Sequence, residues 1–318
     1  MALTTFDPTQ TPTASIGYQN IQNILINGGF EFWQRGTTFS SPATPATGAY
    51  TTDRWMMGYD GAPTFTVSRE ASVIDSVGTY ALKVQITAVG GSTGFNIRQK
   101  LEDFSALRGK TLTFSARVRS NVAGVTLGLN DGVSPTYGSV AHTGGGAYET
   151  LTITKTFDSN ASDFIAYIGF LTVAPAICTF YCDSAMLSFG STAIPFVPTN
   201  SQVELAQCQR YYEKTYDLAT PPGTATVTGY MRIVAGQINT TIMETGASFK
   251  VRKYAAPTMT FYRSDNGASG ACVWRNTSAI ESGRATVVGV SQPMAFSCSQ
   301  SSAVEYLCYA HWTAESEL

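Results

Sequence analysis

Short runs in which apolar and polar residues alternate recur along most of this chain. Successive side chains of a β-strand point to opposite faces, so such runs predict strands with one buried face. The clearest runs are ALKVQIT at residues 81–87 and TLTFSARV at residues 111–118. The side chains expected in the core are those of Leu82, Val84, Ile86, Leu112, Phe114, Ala116 and Val118.

One run, FIAYIGFLTV at residues 164–173, is apolar on both faces. This pattern indicates a strand at the centre of a sheet or one covered by another subunit. Burying such a surface would also favour a symmetric oligomer.

A single segment, NSQVELAQCQRYYEK, has helical rather than strand periodicity. Ser201 followed by Glu204 matches a capping box, and Leu205, Cys208 and Tyr212 form an apolar stripe. The stripe either packs on its own sandwich or lines a seam around a symmetry axis.

These patterns predict an all-β protein of two β-sandwiches joined by one α-helix. We expect an N-terminal arm at residues 1–20, a larger sandwich at 21–198, a linking helix at 199–216 and a smaller β domain at 217–318. The arm is rich in threonine, proline and glutamine, and we expect it to dock on a partner chain or on the protein's own surface.

Composition excludes several functions. Only 13% of the 318 residues are charged and the net charge is −2, which argues against nucleic-acid binding. Nothing approaches the run of about 18 apolar residues that crosses a bilayer, and the N-terminus lacks a signal-peptide pattern, so no membrane insertion is expected. Six cysteines form no CxxC pattern, and only two histidines are present, which discourages a zinc site or a catalytic triad. We expect the cysteines to be reduced and buried.

The densest segment is NILINGGFEFWQRG at residues 23–36. Asn27-Gly28-Gly29 predicts a turn through positive φ at the mouth of the fold, because glycine adopts such conformations readily. The aromatic residues that follow, Trp33 among them, indicate either a core plug or a recognition rim.

A series of strings then becomes recognisable. INGGFEFWQRGTTF, YTTDRW, GTYALKV, IRQKLEDFSALRGKTLTFSARVRS, HTGGGAYETLTITKTF and FYCDSAMLSFGSTAIPFVP follow one another in order. Together they resemble the carbohydrate-binding-module-like, galactose-binding-like jelly roll of tailed-bacteriophage fibre and virion surface proteins. ELAQCQRYYEK and HWTAESEL fit the same family.

This resemblance implies a jelly-roll fold for residues 21–198 and a non-catalytic virion protein, commonly trimeric, that attaches to a host-surface glycan. Such a protein is made in the host bacterial cytoplasm and sits on the particle surface. With some 20 residues before the module, the arm is expected to contact other virion proteins. The alternative is a capsid or tail decoration protein with no receptor role, and a glycan depolymerase is less favoured.

Sugar recognition uses aromatic platforms with a few orienting polar groups. The candidate platforms, each beside glycine, aspartate or arginine, are Trp55, Tyr59, Tyr137 and Tyr148, with Trp33 also considered. Each has a structural alternative, and Asp53-Arg54 is compatible with an ordinary surface ion pair.

The resemblance also implies a possible structural Ca²⁺ between Glu31 and Asp183, completed by backbone carbonyls. Ser184 stands where the family often has a second acidic residue, which weakens the expected site. No other cofactor is expected.

Overall fold

The computed structural model describes residues 23–41, 47–71, 78–234, 236–239, 242–275, 280–284, 286–289, 295–301 and 307–318. The predicted arm at residues 1–20 lies outside this set. Strands dominate the described residues, and none of their helices is long and apolar enough to cross a membrane.

In the described residues, eleven strands form the first domain, a jelly-roll sandwich of two antiparallel sheets. They are β1 (Thr38–Ser40), β2 (Met56–Tyr59), β3 (Thr64–Glu70), β4 (Ala81–Ala88), β5 (Phe95–Lys100), β6 (Thr111–Ser120), β7 (Thr126–Asn130), β8 (Thr136–Tyr137), β9 (Tyr148–Thr156), β10 (Ile165–Phe170) and β11 (Cys178–Phe189). One sheet has six strands in the order β1-β3-β4-β11-β6-β9, and the other has five in the order β2-β5-β10-β7-β8.

The core lies between these two sheets and follows the alternation of the sequence. Leu82, Val84 and Ile86 of β4 are buried there, together with the four apolar residues predicted for β6. Cys178 and Cys182 are both free and buried on β11, as expected for small apolar side chains in one strand. The all-β prediction and these strand faces are confirmed.

Strand β10 is buried on both faces because it lies between β5 and β7 at the centre of the five-stranded sheet. Ile165 and Tyr167, which point away from the core, are each only 7% exposed. The sequence indicated either a central strand or a strand covered by another subunit, and the first interpretation is correct. Its burial therefore needs no second subunit, and the trimer stays a prediction.

The linking helix is shorter than predicted. Helix α1 spans Ser201–Gln209, and its N-cap is Asn200, whose side chain accepts a hydrogen bond from the backbone N–H of Gln202. Glu204 does not close a capping box with Ser201; it is buried and accepts from the backbone N–H of Asn27. Tyr212 leaves the helical stripe to begin the next strand.

The described part of the second domain contains ten strands in two sheets. They are β12 (Tyr212–Lys214), β13 (Met231–Val234), β14 (Gly236–Asn239), β15 (Ile242–Ser248), β16 (Thr258–Arg263), β17 (Ala271–Arg275), β18 (Ile280–Arg284), β19 (Thr286–Gly289), β20 (Ala295–Ser301) and β21 (Leu307–Glu315). One sheet has the order β12-β21-β17-β18, with β13 and β16 also paired to β21, and the other has the order β14-β15-β20-β19. The last strand, β21, thus pairs with four strands of its sheet, β12, β13, β16 and β17.

Buried charges join the C-terminus to the first domain. The Glu317 carboxylate lies 3.0 Å from the Arg35 guanidinium and also pairs with Arg54. Arg54, which is 1% exposed, stacks 3.6 Å from the centroid of Tyr211. Asp53 lies 3.7 Å from Arg35, and burial raises the pKa of Asp53 to about 6. The expectation that Asp53 and Arg54 form a surface ion pair is wrong, because both pair elsewhere in this buried cluster.

The glycine-rich segment lies inside this junction and not at an open mouth. Positive φ occurs at Asn27 (56°) and Phe30 (53°), not at Gly28 or Gly29. Gly28 is required for a different reason: a Cβ there would lie 2.2 Å from the carbonyl oxygen of Ala185. Trp33 is 3% exposed, so its core role is the correct one.

Candidate functional site

The outer face of the five-stranded sheet is lined by glycines and tyrosines. Along it, Gly58 of β2 is paired to Asn96, which is paired to Gly169 of β10. The neighbouring row runs through Met56, Arg98, Tyr167, Gly128 and Tyr137. We call the surface formed by these residues the glycine–tyrosine face.

The missing side chains of two glycines make room for their neighbours. A Cβ at Gly58 would lie 2.6 Å from Asn96 Oδ1 and 3.0 Å from Arg98 Nη1. A Cβ at Gly128 would lie 2.7 Å from the Tyr137 ring. The amide, the guanidinium and the ring therefore lie across the sheet, so that flat groups form its outer surface.

Two tyrosines meet on this face in an edge-to-face arrangement. Their ring centroids are 5.6 Å apart and the rings are inclined by 83°. Tyr137 is 41% exposed while Tyr167 is buried against the sheet, so Tyr167 supports a ring that is open to solvent. Burial and then the neighbouring Tyr167 raise the pKa of Tyr137 to about 12, and its hydroxyl stays protonated at neutral pH.

Two polar atoms on the same face are buried and have no hydrogen-bond partner. They are Asn96 Oδ1 and Arg98 Nε. Leaving such an atom unpaired costs about 1–3 kcal/mol, and most buried polar atoms in native proteins are paired. Two unpaired atoms on the same face as an exposed aromatic ring make this face the candidate binding site.

The other predicted platforms have different surroundings. Trp55 is 0% exposed, packs 5.1 Å from Phe30 between ring centroids and donates its indole N–H to the Asn27 carbonyl. A buried indole cannot stack on a sugar, so that prediction is wrong. Tyr59 is half-buried and packs on Phe65 and Phe95 at the edge of the core.

Tyr148 belongs to the opposite, six-stranded sheet. Its ring lies 4.6 Å from the Arg117 guanidinium, and burial followed by the charge of Asp183 raises the pKa of its hydroxyl. A cleft of about 470 Å³ lies beside Arg117. It is lined by Ser115, Ala116, Arg117, Thr150, Ser184, Ala193, Ile194, Pro195 and Phe196. Tyr137 and Tyr148 therefore lie on different sheets and do not form one platform.

Glu31 and Asp183, the residues proposed for calcium, each have another polar neighbour. Glu31 accepts a hydrogen bond from the Thr79 hydroxyl at 3.4 Å, whereas Asp183 is fully buried with the Arg117 guanidinium at 3.9 Å. A cation is thus already next to Asp183. Across the described ranges, no group of three or more His, Cys, Asp or Glu side chains is placed to hold a metal ion. The calcium site between Glu31 and Asp183 therefore stays a prediction.

Sequence reasoning missed Asn96, Arg98 and Tyr167. A signal for them exists, because Phe95 and Ile97 alternate with Asn96 and Arg98 along β5. In β10 the two apolar faces hid the difference between an inward side chain and the outward Tyr167. Their convergence with Tyr137 depends on the pairing of four strands, which the sequence does not display.

No protein-family model matches the sequence, and no curated protein matches it either. Among solved structures, the chain is similar to the enzymatically active domain of tailspike protein 4 of bacteriophage CBA120, with 12% identity and a TM-score of 0.34. That match covers 46% of this chain and 21% of the tailspike chain, so the chain spans about a fifth of its length.

The chain is also similar to a family 61 carbohydrate-binding module solved with β-1,4-galactotriose, with 17% identity, coverage of 53% and 99% of the two chains, and a TM-score of 0.34. A tandem of two family 22 modules from Paenibacillus barcinonensis has 11% identity, coverage of 89% and 91%, and a TM-score of 0.32. At TM-scores below 0.5 these likenesses carry no argument about what this chain does.

Proposed function

We propose that the glycine–tyrosine face binds a glycan, and that the chain is a non-catalytic receptor-binding protein on the surface of a phage particle. The observation that carries the glycan site is the exposed Tyr137 ring on the same sheet face as the buried, unpaired polar atoms of Asn96 and Arg98. An aromatic ring packs on the apolar face of one pyranose, and the amide and guanidinium orient hydroxyls of another sugar in the same glycan.

The side chains of this face support binding without catalysis. The row from Met56 to Tyr137 and the row from Gly58 to Gly169 contain no carboxylate. Most glycosidases need two carboxyl groups across the scissile bond. A test is to incubate the protein with host capsule and lipopolysaccharide, where we expect no released oligosaccharide.

The glycan site is tested with Tyr137→Ala, measured on a glycan array and by calorimetry with any glycan that binds. We expect a loss of about 1–3 kcal/mol in binding free energy, because a ring that contributes its whole stacking face is removed. Tyr254→Ala is the matched control, since Tyr254 is similarly exposed at 39% and lies in the second domain. Equal binding by the Tyr137 variant and the wild type would place the site elsewhere.

The position on a virion and the trimer rest on the sequence resemblance. Labelled antibody on purified particles tests the first, and light scattering of the full chain against a variant lacking residues 1–20 tests the second. A monomer mass that is independent of concentration argues against the trimer. Particles that carry the protein but attach normally when Tyr137 is replaced would favour a decoration role instead.

A further inference from the structure

The charge on the glycine–tyrosine face is carried by Arg98. Its guanidinium lies across Gly58, where a Cβ would approach Cζ to 3.1 Å. No described carboxylate forms an ion pair with Arg98 within 4.0 Å. The next cation on the same strand, Lys100, differs, because it pairs with Asp163 at 2.9 Å.

The charge of Arg98 differs in sign from the net charge of the protein. The protein as a whole carries a net charge of −2, yet the centre of this face holds a partly buried cation without a counterion. Removing an unpaired charge from water is costly, and a ligand that brings the opposite charge recovers that cost. A guanidinium also presents a planar fork that matches a carboxylate or phosphate group with two parallel hydrogen bonds.

The neighbouring groups suit the same type of ligand. The hydroxyl of Tyr137 remains protonated, so it presents no competing negative charge to the guanidinium. Asn96 lies two residues from Arg98 on β5, and Tyr137 lies three strands away on β8, which is about 14 Å between backbones. A ligand that reaches both Arg98 and Tyr137 is therefore longer than one sugar residue. An acidic oligosaccharide would place its anionic group on Arg98 and the ring of another of its sugars on Tyr137.

We propose that the glycine–tyrosine face takes an acidic glycan, one that bears a carboxylate or phosphate group, with Arg98 as the anchor for that group. This inference rests on the proposed glycan-binding function and names its ligand class.

The test uses an array of bacterial acidic and neutral polysaccharides with the full chain. Each acidic polysaccharide is printed also in its carboxyl-reduced form and in its dephosphorylated form, which separates the two sources of charge. We expect the bound glycans to be acidic, and loss of the charged group to weaken binding about tenfold or more. Added salt should also weaken binding of the acidic glycans, because it screens the attraction between their charged group and Arg98.

Arg98→Gln keeps a hydrogen-bond donor but removes the charge. The preference of the wild type for acidic over neutralised glycan, about tenfold or more, should therefore disappear in this variant. Arg98→Lys should keep part of it. Arg119→Gln is the matched control: Arg119 is a half-buried arginine on the opposite sheet that donates to the Gly146 carbonyl.

The outcomes are separable. Binding of neutral glycans by the wild type, unchanged in Arg98→Gln, overturns the acidic ligand and leaves the glycan function standing. No binding to any glycan overturns the proposed function itself. If the Gln variant fails to fold, the comparison of acidic and neutralised glycans on the wild type still decides the inference.

Discussion

Glu317→Gln is the sharpest test of how the two domains are held together. The Glu317 side chain is 6% exposed. Among the described residues, its carboxylate forms the ion pair with Arg54. It also pairs with Arg35 at 3.0 Å. The substitution keeps the volume of the side chain and removes one negative charge from between two arginines.

The expected cost follows from burial. Breaking a buried ion pair by neutralising one partner typically costs about 3–5 kcal/mol, because the other charge remains buried without compensation. Arg54 is 1% exposed and cannot reach water without separating from Tyr211. At about 2–4 °C per kcal/mol for a chain of this size, we expect the first thermal transition to fall by roughly 6–20 °C.

Glu315→Gln is the control for this prediction. It makes the same chemical change two residues earlier, and Glu315 also meets Arg35, at 3.1 Å. Its side chain is 49% exposed, so the expected cost is about 0–1 kcal/mol. Differential scanning calorimetry of both variants and the wild type compares them directly. Equal, small shifts for the two variants would refute the idea that buried charge holds the C-terminus in place.

Three further predictions follow from other contacts. Gly28→Ala should destabilise by about 1–3 kcal/mol, since its Cβ would meet the Ala185 carbonyl, whereas Gly145→Ala, with its nearest such atom 3.7 Å away, should be near neutral in urea unfolding. Because burial lowers the pKa of His311, the unfolded chain binds more protons than the folded chain just below pH 6.5. Tm should therefore fall on acidification through that range, and His311→Gln should weaken this dependence of Tm on pH. Because Arg117 already lies beside Asp183, chelation with EDTA should leave Tm unchanged, and a lowered Tm restored by Ca²⁺ would support the calcium site.

The strand faces were predictable because alternation is a local property. Leu82 to Ile86 and Leu112 to Val118 each place every second side chain on one side of a strand, whatever that strand pairs with. Burying that side then requires a second layer, which explains why the all-β sandwich class could be predicted as well.

The helix length was not predictable in the same way. The apolar stripe continued to Tyr212, but Tyr211 and Tyr212 instead stack under Arg54 and Arg35, 3.6 and 3.8 Å from the guanidinium carbons. Pairing of Tyr212 with Glu315 then makes it part of a sheet. Contacts between residues more than 100 positions apart thus accompany the end of the helix.

The sequence alone determined that the chain is built of strands and which face of the clearest strands is apolar. It also supplied the candidate aromatic residues, Tyr137 among them. The tertiary structure decided which of those rings meets solvent, burying Trp55 and exposing Tyr137. It also brought Asn96, Arg98 and Tyr167 to that ring through the register of β5, β10, β7 and β8. Local periodicity specifies which way a side chain points, but only long-range strand pairing specifies what lies beside it.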